Sequence, residues 1–399
     1  MNAAAGSDRT VVIVGASVAG VRCATSLRNA GFEGTVVLLD SDAGAPYDKP
    51  QLSKRIDSAA RLDLIVEEST LRELRIDFRP AVAATGLDLA TGVVETAGGP
   101  VPFDELVIAT GCRPRPLAHP LPAQAGYLRT RDDWRQLKEA VTRGGRLVVV
   151  GAGFLGLEAA AAAVSLGMEV TVVDVAPRVL MRGIPTTVAE RVAARHVDAG
   201  VELRLGAQGP VLDGDDQTVR VDGARGDYAL VSVGALPNVE WLAGSGLTIE
   251  DGVVCDANLA AAPGVWAVGD CARWVNARYG RLERHEHWTT AGRHAQHVAR
   301  SIATASTSPM AEVPYVWSDQ LGWRLQAIGR VGTEELHFAS GNGVHLAISA
   351  TDQLVTGVTT INAQALCVAA RRLLQQGDPT VEEVVEALAP ATRDFARIS

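Results

Sequence analysis

Two glycine-rich turns are the first stretches of this 399-residue chain whose residue types and spacing imply chemistry. Gly15-Ala16-Ser17-Val18-Ala19-Gly20 follows the apolar run at residues 11–14, and Gly151-Ala152-Gly153-Phe154-Leu155-Gly156 follows a similar run at 147–150. Each stands between a strand-like run and a helix-like stretch, the context in which this spacing reads as a dinucleotide site. The first glycine permits the tight turn. The second lets a pyrophosphate approach the backbone, and the third lets helix and strand pack closely. Free N–H groups and the positive end of the helix dipole then hold phosphate without a lysine. Ser17 takes the middle position of the first turn, which narrows the approach without closing it.

The second expected part is an acid at the end of the next strand, where a carboxylate can accept from ribose hydroxyls. Asp40 and Asp174 stand at those places. Asp174 is followed by Val175 and Ala176 rather than by basic residues, which favours a free 2′-hydroxyl and so NADH over NADPH. Arg178 is the nearby cation that could turn inward. Two such sites on one chain suggest FAD in one and a nicotinamide nucleotide in the other, an electron acceptor and its donor.

Positioning these turns takes two βαβ units. Residues 11–14, a helix to about Asn29 and a strand at Thr35–Leu39 make the first. Residues 147–150, a helix to Leu166 and a strand at 170–173 make the second. β-Branched apolar runs of this kind suit strands buried on both faces. Between the units lie a polar loop (41–58), mixed strands, and a stretch at 106–116 that runs into Pro114, Pro116, Pro120 and Pro122, a stiff linker. A further strand ends in Gly269-Asp270. From about Val316 the pattern changes to a small antiparallel sheet with a closing helix over 363–375. The expected fold is α/β: two Rossmann-like dinucleotide-binding domains plus a C-terminal α+β domain. The expected boundaries are 1–115 with 243–315 for the first domain, 116–242 for the second and 316–399 for the third.

Composition narrows the function class. A hydrophobic fraction of 47% and a charged fraction of 21% are ordinary for a globular protein of two or three domains. The formal net charge of −9 argues against general nucleic-acid binding. The apolar stretch at 147–164 contains Glu158 and three glycines, which fits a buried strand, turn and packed helix and not a bilayer span. The first ten residues lack a basic segment followed by an apolar one, so no leader is expected. The five cysteines form no CxxC pair. A reducing, cytoplasmic setting is expected, with each cysteine a small buried apolar residue. His285, His287, His294 and His297 have HxH and HxxH spacing, but no cysteine or second acid cluster completes a site, so no metal is expected. Between Arg273 and Arg300 stand six arginines against two glutamates, a local excess on an acidic protein.

Seven stretches then occur in a particular order: PYDKPQLSK from Pro46, ATGCRPR from Ala109, GAGFLGLE from Gly151, VGALPN through Gly234, VWAVGD ending at Asp270, EHWTTA from Glu286 and VPYVWSDQ from Val313. Together they resemble the FAD-dependent NAD(P)H:ferredoxin reductases of bacterial oxygenase systems, over nearly the full chain. The resemblance implies a glutathione-reductase-like FAD domain, an inserted NAD domain and a C-terminal domain. It implies FAD binding by Gly15, Ser17, Gly20, Asp40, Lys49, Ala109, Thr110, Gly111, Arg115 and Asp270, with Asp270 at the ribityl and phosphate region. Gly151, Gly153, Phe154, Leu155, Gly156, Asp174 and Gly234 would hold NADH. Lys54 would lie at the flavin ring and pair with Glu158 when NADH docks. Trp288 and Trp317 would stand near flavin and nicotinamide, so Lys54, Glu158 and Trp288 are the candidate catalytic residues. A lysine there favours negative charge on reduced flavin, and the helical segment after Trp288 would add its positive end. The chain departs from the family pattern at Lys49, usually arginine, at Gln51, usually proline, and at His294, where glutamine is common.

The function so implied is hydride uptake from NADH and single-electron delivery to an iron–sulfur ferredoxin that serves a Rieske dioxygenase or haem monooxygenase. The Arg273 to Arg300 excess would dock an acidic ferredoxin. Rubredoxin, a quinone or oxygen as acceptor, and a flavin-bearing NADH-sensing interaction protein, are the alternatives. A disulfide reductase needs a cysteine beside the flavin. Cys23 lies in the first helix and Cys112 in the ATG loop, and the loop after the second strand has none.

Overall fold

The computed structural model describes residues 8–209, 211–215, 217–340, 343–392 and 395–398. Most of the stretch read for a leader lies outside these. The helices are α1 (Val18–Asn29), α2 (Glu68–Glu73), α3 (Arg131–Arg143), α4 (Phe154–Ser165), α5 (Thr186–Asp198), α6 (Trp288–Thr304), α7 (Gln364–Gln376) and α8 (Val381–Leu388). None of the described helices is long and apolar enough to cross a membrane. The chain divides into two compact units. One comprises residues up to Lys49, Leu62–Arg113 and Ala235–Glu312; the other comprises Pro50–Arg61, Pro114–Gly234 and residues from Val313 onward.

The first unit is built on a six-stranded sheet in the order Ala260–Ala262, Val265–Ala267, Glu105–Ile108, Thr10–Val14, Thr35–Leu39, Ile76–Arg79. Thr10–Val14 runs parallel to both of its neighbours. Val11, Val12 and Ile13 are fully buried, as a central strand covered on both faces requires. In α1 the residues Val21, Ala24 and Leu27 share one core with Ala295, Val298 and Ile302 of α6. These positions recur at helical spacing, so each helix presents one apolar stripe to this shared core.

The second unit contains two large sheets and a small antiparallel one of Leu212–Gly214, Val219–Val221 and Ala224–Gly226. Five parallel strands run in the order Val201–Leu205, Glu169–Asp174, Arg146–Val150, Tyr228–Val231, Ala125–Gly126. Beside this sheet, α4 is buried along most of its length at Gly156, Leu157, Glu158, Ala159, Ala160, Ala161 and Ala163. Its run of alanines allows close approach on several sides. The other large sheet has six antiparallel strands, from Tyr315–Gln320 at one edge to Ala396–Ile398 at the other. Leu346, Ile348 and Val358 of this sheet form a core with Leu366 and Leu374 of α7 and Val384 of α8. The fold is thus α/β with two Rossmann-like sheets and a C-terminal α+β part. The segment Pro50–Arg61 lies between stretches of the first unit in sequence but belongs to the second in space.

Candidate functional site

Most glycines of the two turns answer a specific crowding. A Cβ on Gly15, whose φ is +105°, would stand 2.4 Å from the Ala109 carbonyl oxygen, and one on Gly20 would stand 1.8 Å from that of Gly15. The second turn repeats this. A Cβ on Gly151 would meet the Ser232 oxygen at 2.2 Å, and one on Gly156 the Gly151 oxygen at 2.0 Å. Gly153 differs, since nothing lies within 4 Å of its Cβ position. Internal packing therefore explains the outer glycines and leaves the middle one facing open space, which is what an approaching pyrophosphate needs. Gly153 caps α4, and Ser17, in extended conformation and without a capping bond from its side chain, takes the same place before α1. Neither helix has an acid in its first turn, so both positive ends fit an anionic group. The turns thus fit dinucleotides. Phe154 and Leu155 begin α4 itself.

An acid accompanies each turn. Oδ2 of Asp174 accepts the Ala152 N–H at 2.5 Å and Oδ1 accepts that of Ala176 at 2.7 Å, which ties the carboxylate to the second turn. Burial, reinforced by the neighbouring Asp42, pushes the Asp40 carboxyl up to about 6. Lys49 Nζ lies 3.4 Å from Asp42 Oδ2 and donates to the Tyr47 hydroxyl at 3.2 Å. Arg178 does not turn inward. Its guanidinium donates to the carbonyls of Val179, Leu180, Ile184 and Met181, at 3.2–3.4 Å.

In the first unit the ATG loop is laced to residues 237–238. The Thr110 hydroxyl donates to the Asn238 carbonyl at 2.6 Å, and Asn238 returns bonds to the Thr110 and Gly111 carbonyls at 3.0 and 2.9 Å. Ala109 is buried. The Cys112 thiol donates to Asp270 Oδ2 at 3.2 Å. Asp270 sits in a 3-10 turn at Gly269–Cys271, and Gly269, at φ +72°, packs where α1 and α6 approach through Ala19 and Ala291. Trp288 is the first residue of α6. Its indole N–H donates to Asp48 Oδ1 at 3.0 Å, and the Arg22 guanidinium stands over its ring, 4.7 Å from the centroid. Sequence reasoning missed Arg22 and gave Asp48 no role, although Asp48 lies inside the PYDK stretch.

In the second unit, α4 carries Glu158 into a buried position with 7% exposure. Three donors meet its carboxylate: Lys54 Nζ at 2.9 Å, the Ser53 hydroxyl at 2.6 Å and the Ser318 hydroxyl at 2.5 Å. The Gln320 amide in turn donates to Ser318 at 2.8 Å. A carboxylate taken out of water costs several kcal/mol unless it is paired and hydrogen-bonded, and here both conditions hold. Ser53 and Ser318 stand in the LSK and WSDQ stretches, yet sequence alone assigned them nothing. Trp317 lies one residue before Ser318 and stacks on Tyr315, with centroids 6.0 Å apart. Gly234 has φ +106°, and its Cβ position lies 3.8 Å from Arg115 Nε and 3.6 Å from Arg182 Nη2. Arg115 also donates its backbone N–H to Gly234 at 2.9 Å. It therefore stands with the second turn's unit. Arg182 was not anticipated.

The remaining clusters are more structural. His285 and His294 meet Trp274 edge-on, at 5.0 and 4.4 Å between centroids, and His287 stacks on His285. Burial depresses all three imidazoles, to about 4, 3 and 3. Among the described residues no group of three or more His, Cys, Asp and Glu could hold a metal ion. All five cysteines are buried, and none is in a disulfide. Within the arginine-rich segment, Arg273 pairs with Glu250, Arg281 with Glu283, Arg284 with Asp251 and Glu286, and Arg293 with Glu312. Glu250, Asp251 and Glu312 lie outside the segment, so its charge excess is smaller in the fold than in the sequence.

Residues 9–295 match the family model described as pyridine nucleotide-disulphide oxidoreductase, and residues 315–396 match one described as reductase C-terminal. The chain is 34% identical over 379 residues to the chlorobenzene dioxygenase ferredoxin reductase component of Cupriavidus sp. (strain PS12), covering 92% of each. It is 33% identical over 353 residues to putidaredoxin reductase CamA of Pseudomonas putida, covering 81% of each. Among solved structures, the covalent putidaredoxin reductase–putidaredoxin complex matches with a TM-score of 0.89 at 27% identity, covering 97% of this chain and 99% of that one. The ferredoxin reductase for the CYP199A2 system from Rhodopseudomonas palustris also gives 0.89, at 30% identity, covering 96% and 100%. The chain therefore belongs to the pyridine nucleotide-disulphide oxidoreductase family, with the reductase C-terminal domain following its two dinucleotide-binding sheets.

Proposed function

We propose that this protein is an NADH-dependent, FAD-containing ferredoxin reductase that supplies the iron–sulfur ferredoxin of an oxygenase system. The observation that carries the reading is the pair of glycine turns on one chain, each with a carboxylate beside it, in a protein whose long relatives are named as ferredoxin reductases. FAD, when bound, takes up the hydride of NADH and releases its electrons singly.

The chain's own residues bind, orient and tune. Gly15, Ser17, Gly20, Asp40, Lys49, the Ala109 to Gly111 loop, Arg115, Asp270, Trp288 and Trp317 are the FAD-holding set. Gly151, Gly153, Phe154, Leu155, Gly156, Asp174 and Gly234 are the NADH-holding set. On this reading 1–115 with 243–315 form the FAD domain, 116–242 the NAD domain and 316–399 the C-terminal domain. Lys54 supplies the positive charge at the reacting end of the site and Glu158 keeps it oriented. Commitment of Arg178 to its own loop supports NADH over NADPH.

The ferredoxin docks at the Arg273 to Arg300 segment, which faces an acidic surface on it. The support is the local basic excess and the exposure of Arg281, whose side chain is 61% accessible. The setting is the cytoplasm, in keeping with five buried cysteines, none of them in a disulfide.

The test is NADH-driven cytochrome c reduction by the purified protein, with and without a two-iron ferredoxin, and with NADPH in parallel. Strong stimulation by ferredoxin with NADH is expected. Rapid flavin reduction without stimulation would move the search to another acceptor, and a parallel rubredoxin arm identifies the nearest one.

A further inference from the structure

The segment Pro50–Arg61 carries Lys54 and has turns but no strand to fix it. The Lys54 and Arg55 N–H groups donate to the Gln51 carbonyl, and the Ala60 N–H to that of Asp57. Turn bonds shape a loop locally and do not anchor it to a scaffold. Ser53 and Lys54 tie it to Glu158 of α4 and Leu52 and Ile56 are buried, and the hydrogen bonds that hold its backbone beyond Lys54 come from α3. The indole N–H of Trp134 donates to the Arg55 carbonyl at 2.7 Å, one residue past Lys54. The ammonium of Lys138, one helical turn further, donates to the Ala60 carbonyl at 2.7 Å. Lys138 also stands over the Trp134 ring, 4.8 Å from its centroid.

The helix itself is well fixed. Thr130 and Asp133 form a reciprocal capping box at its start, and Trp134, Leu137, Ala140 and Val141 are buried along one side. A capped, packed helix is a rigid element, and rigid elements position flexible donors better than loops do. Lys54 itself is a long side chain with several rotamers to lose on pairing. The glutamate end of its ion pair is set by Ser53 and Ser318. The lysine end must be set through its backbone.

We infer that Trp134 and Lys138 are positioning residues that clamp the Pro50–Arg61 loop to α3 and so seat Lys54 on Glu158. This rests on the reading that Lys54 serves the flavin. The loop contains Lys54, Arg55 and Arg61, which are natural trypsin sites, so its seating can be read without any turnover.

The experiment uses the holoenzyme with Trp134→Phe, which keeps a ring and removes the N–H, and Lys138→Met, which keeps the stem and removes the donor. Each variant is made in the wild-type and in the Lys54→Met background. The loss of one such bond should raise the initial rate of tryptic cleavage within the loop by about 3- to 10-fold. Flavin reduction by saturating NADH should slow by a similar factor, with the apparent affinity for NADH unchanged. In the Lys54→Met background neither variant should slow reduction further. Wild-type cleavage and reduction rates in both variants would overturn the clamp, and so would an equal slowing in the Lys54→Met background. Should the wild-type flavin not be reduced by NADH at all, the functional reading fails. The cleavage rates then decide the clamp alone, faster nicking upholding it and unchanged nicking overturning it. Lys138→Met leaves the buried indole in place, so it remains informative if Trp134→Phe folds poorly.

Discussion

Lys54 and Glu158 form an ion pair of 2.9 Å although one lies in a loop near the start of the chain and the other on the second dinucleotide helix. The pair is asymmetric. The glutamate side chain is 8% accessible and the lysine 25%, so the lysine keeps one face toward solvent or a ligand while the glutamate is committed to its protein donors.

Removing the lysine should therefore cost stability as well as function. Lys54→Met leaves Glu158 buried with only two hydroxyl donors; because the lysine is partly exposed, losing it is expected to cost roughly 2 kcal/mol, less than for a fully buried pair. The thermal midpoint should fall by about 4–8 °C. Glu158→Gln, which has no charge to bury, should fall less. A larger loss for Glu158→Gln than for Lys54→Met would show that the cation, and not the carboxylate, is the group that needs its partner.

The glycines of the second turn should separate binding from folding. At Gly156 an added Cβ would collide with backbone at 2.0 Å, whereas Gly153 has open space. Gly153→Ala is expected to leave the unfolding midpoint within about 0.5 kcal/mol of wild type and to raise the KM for NADH about tenfold by blocking pyrophosphate approach. Gly156→Ala should unfold far more easily. Equal thermal melts for the two variants would contradict this division.

Coenzyme preference should respond to Asp174 and not to Arg178. Asp174→Ser removes a carboxylate that repels a 2′-phosphate and is expected to narrow the NADH-to-NADPH ratio of kcat/KM by about tenfold. Arg178→Ala should leave that ratio alone and lower the melting temperature, because its guanidinium bonds four carbonyls of its own loop. A fall in NADPH use on losing Arg178 would place its charge in the coenzyme site after all.

Acid should destabilise the fold earlier than carboxylates alone would dictate. Burial holds His285 and His345 at about 4 and His287 and His294 at about 3. An unfolded histidine titrates near 6.5. Below that pH the unfolded chain binds protons that the folded chain refuses, so stability is full above 6.5 and is lost as pH falls toward the folded values. Going from pH 7.5 to 5.5 should remove roughly 1 kcal/mol per histidine. Asp40, raised to about 6, has the opposite sign, because its folded form takes a proton first, and it offsets part of the loss. Thermal melts at the two pH values check this, and His294→Gln should flatten the difference. An unchanged slope in that variant would mean that His294 takes up its proton in the fold over the same pH range as in the unfolded chain.

Ferredoxin docking should depend on the exposed arginine. Arg281→Glu is expected to raise the apparent KM for ferredoxin several-fold, more so at low salt, without altering flavin reduction by NADH. Salt-independent, wild-type ferredoxin kinetics would remove this surface from consideration.

The local code is legible in the sequence alone. A strand–turn–helix run with glycines at set spacing is legible because each glycine answers to atoms a few residues away or on an adjacent strand, and strand pairing follows the apolar pattern. The partners of the functional side chains were less legible. Ser53 and Ser318 on Glu158, Asp48 and Arg22 on Trp288, and Trp134 on the lysine loop are contacts between segments far apart in the chain. No local pattern marks them, because a hydroxyl or an indole in sequence carries no sign of which acceptor the fold will bring to it. The arginine-rich segment shows the same limit in reverse. Its charge was countable residue by residue, but its net field depends on Glu250, Asp251 and Glu312, which only tertiary packing sets beside it.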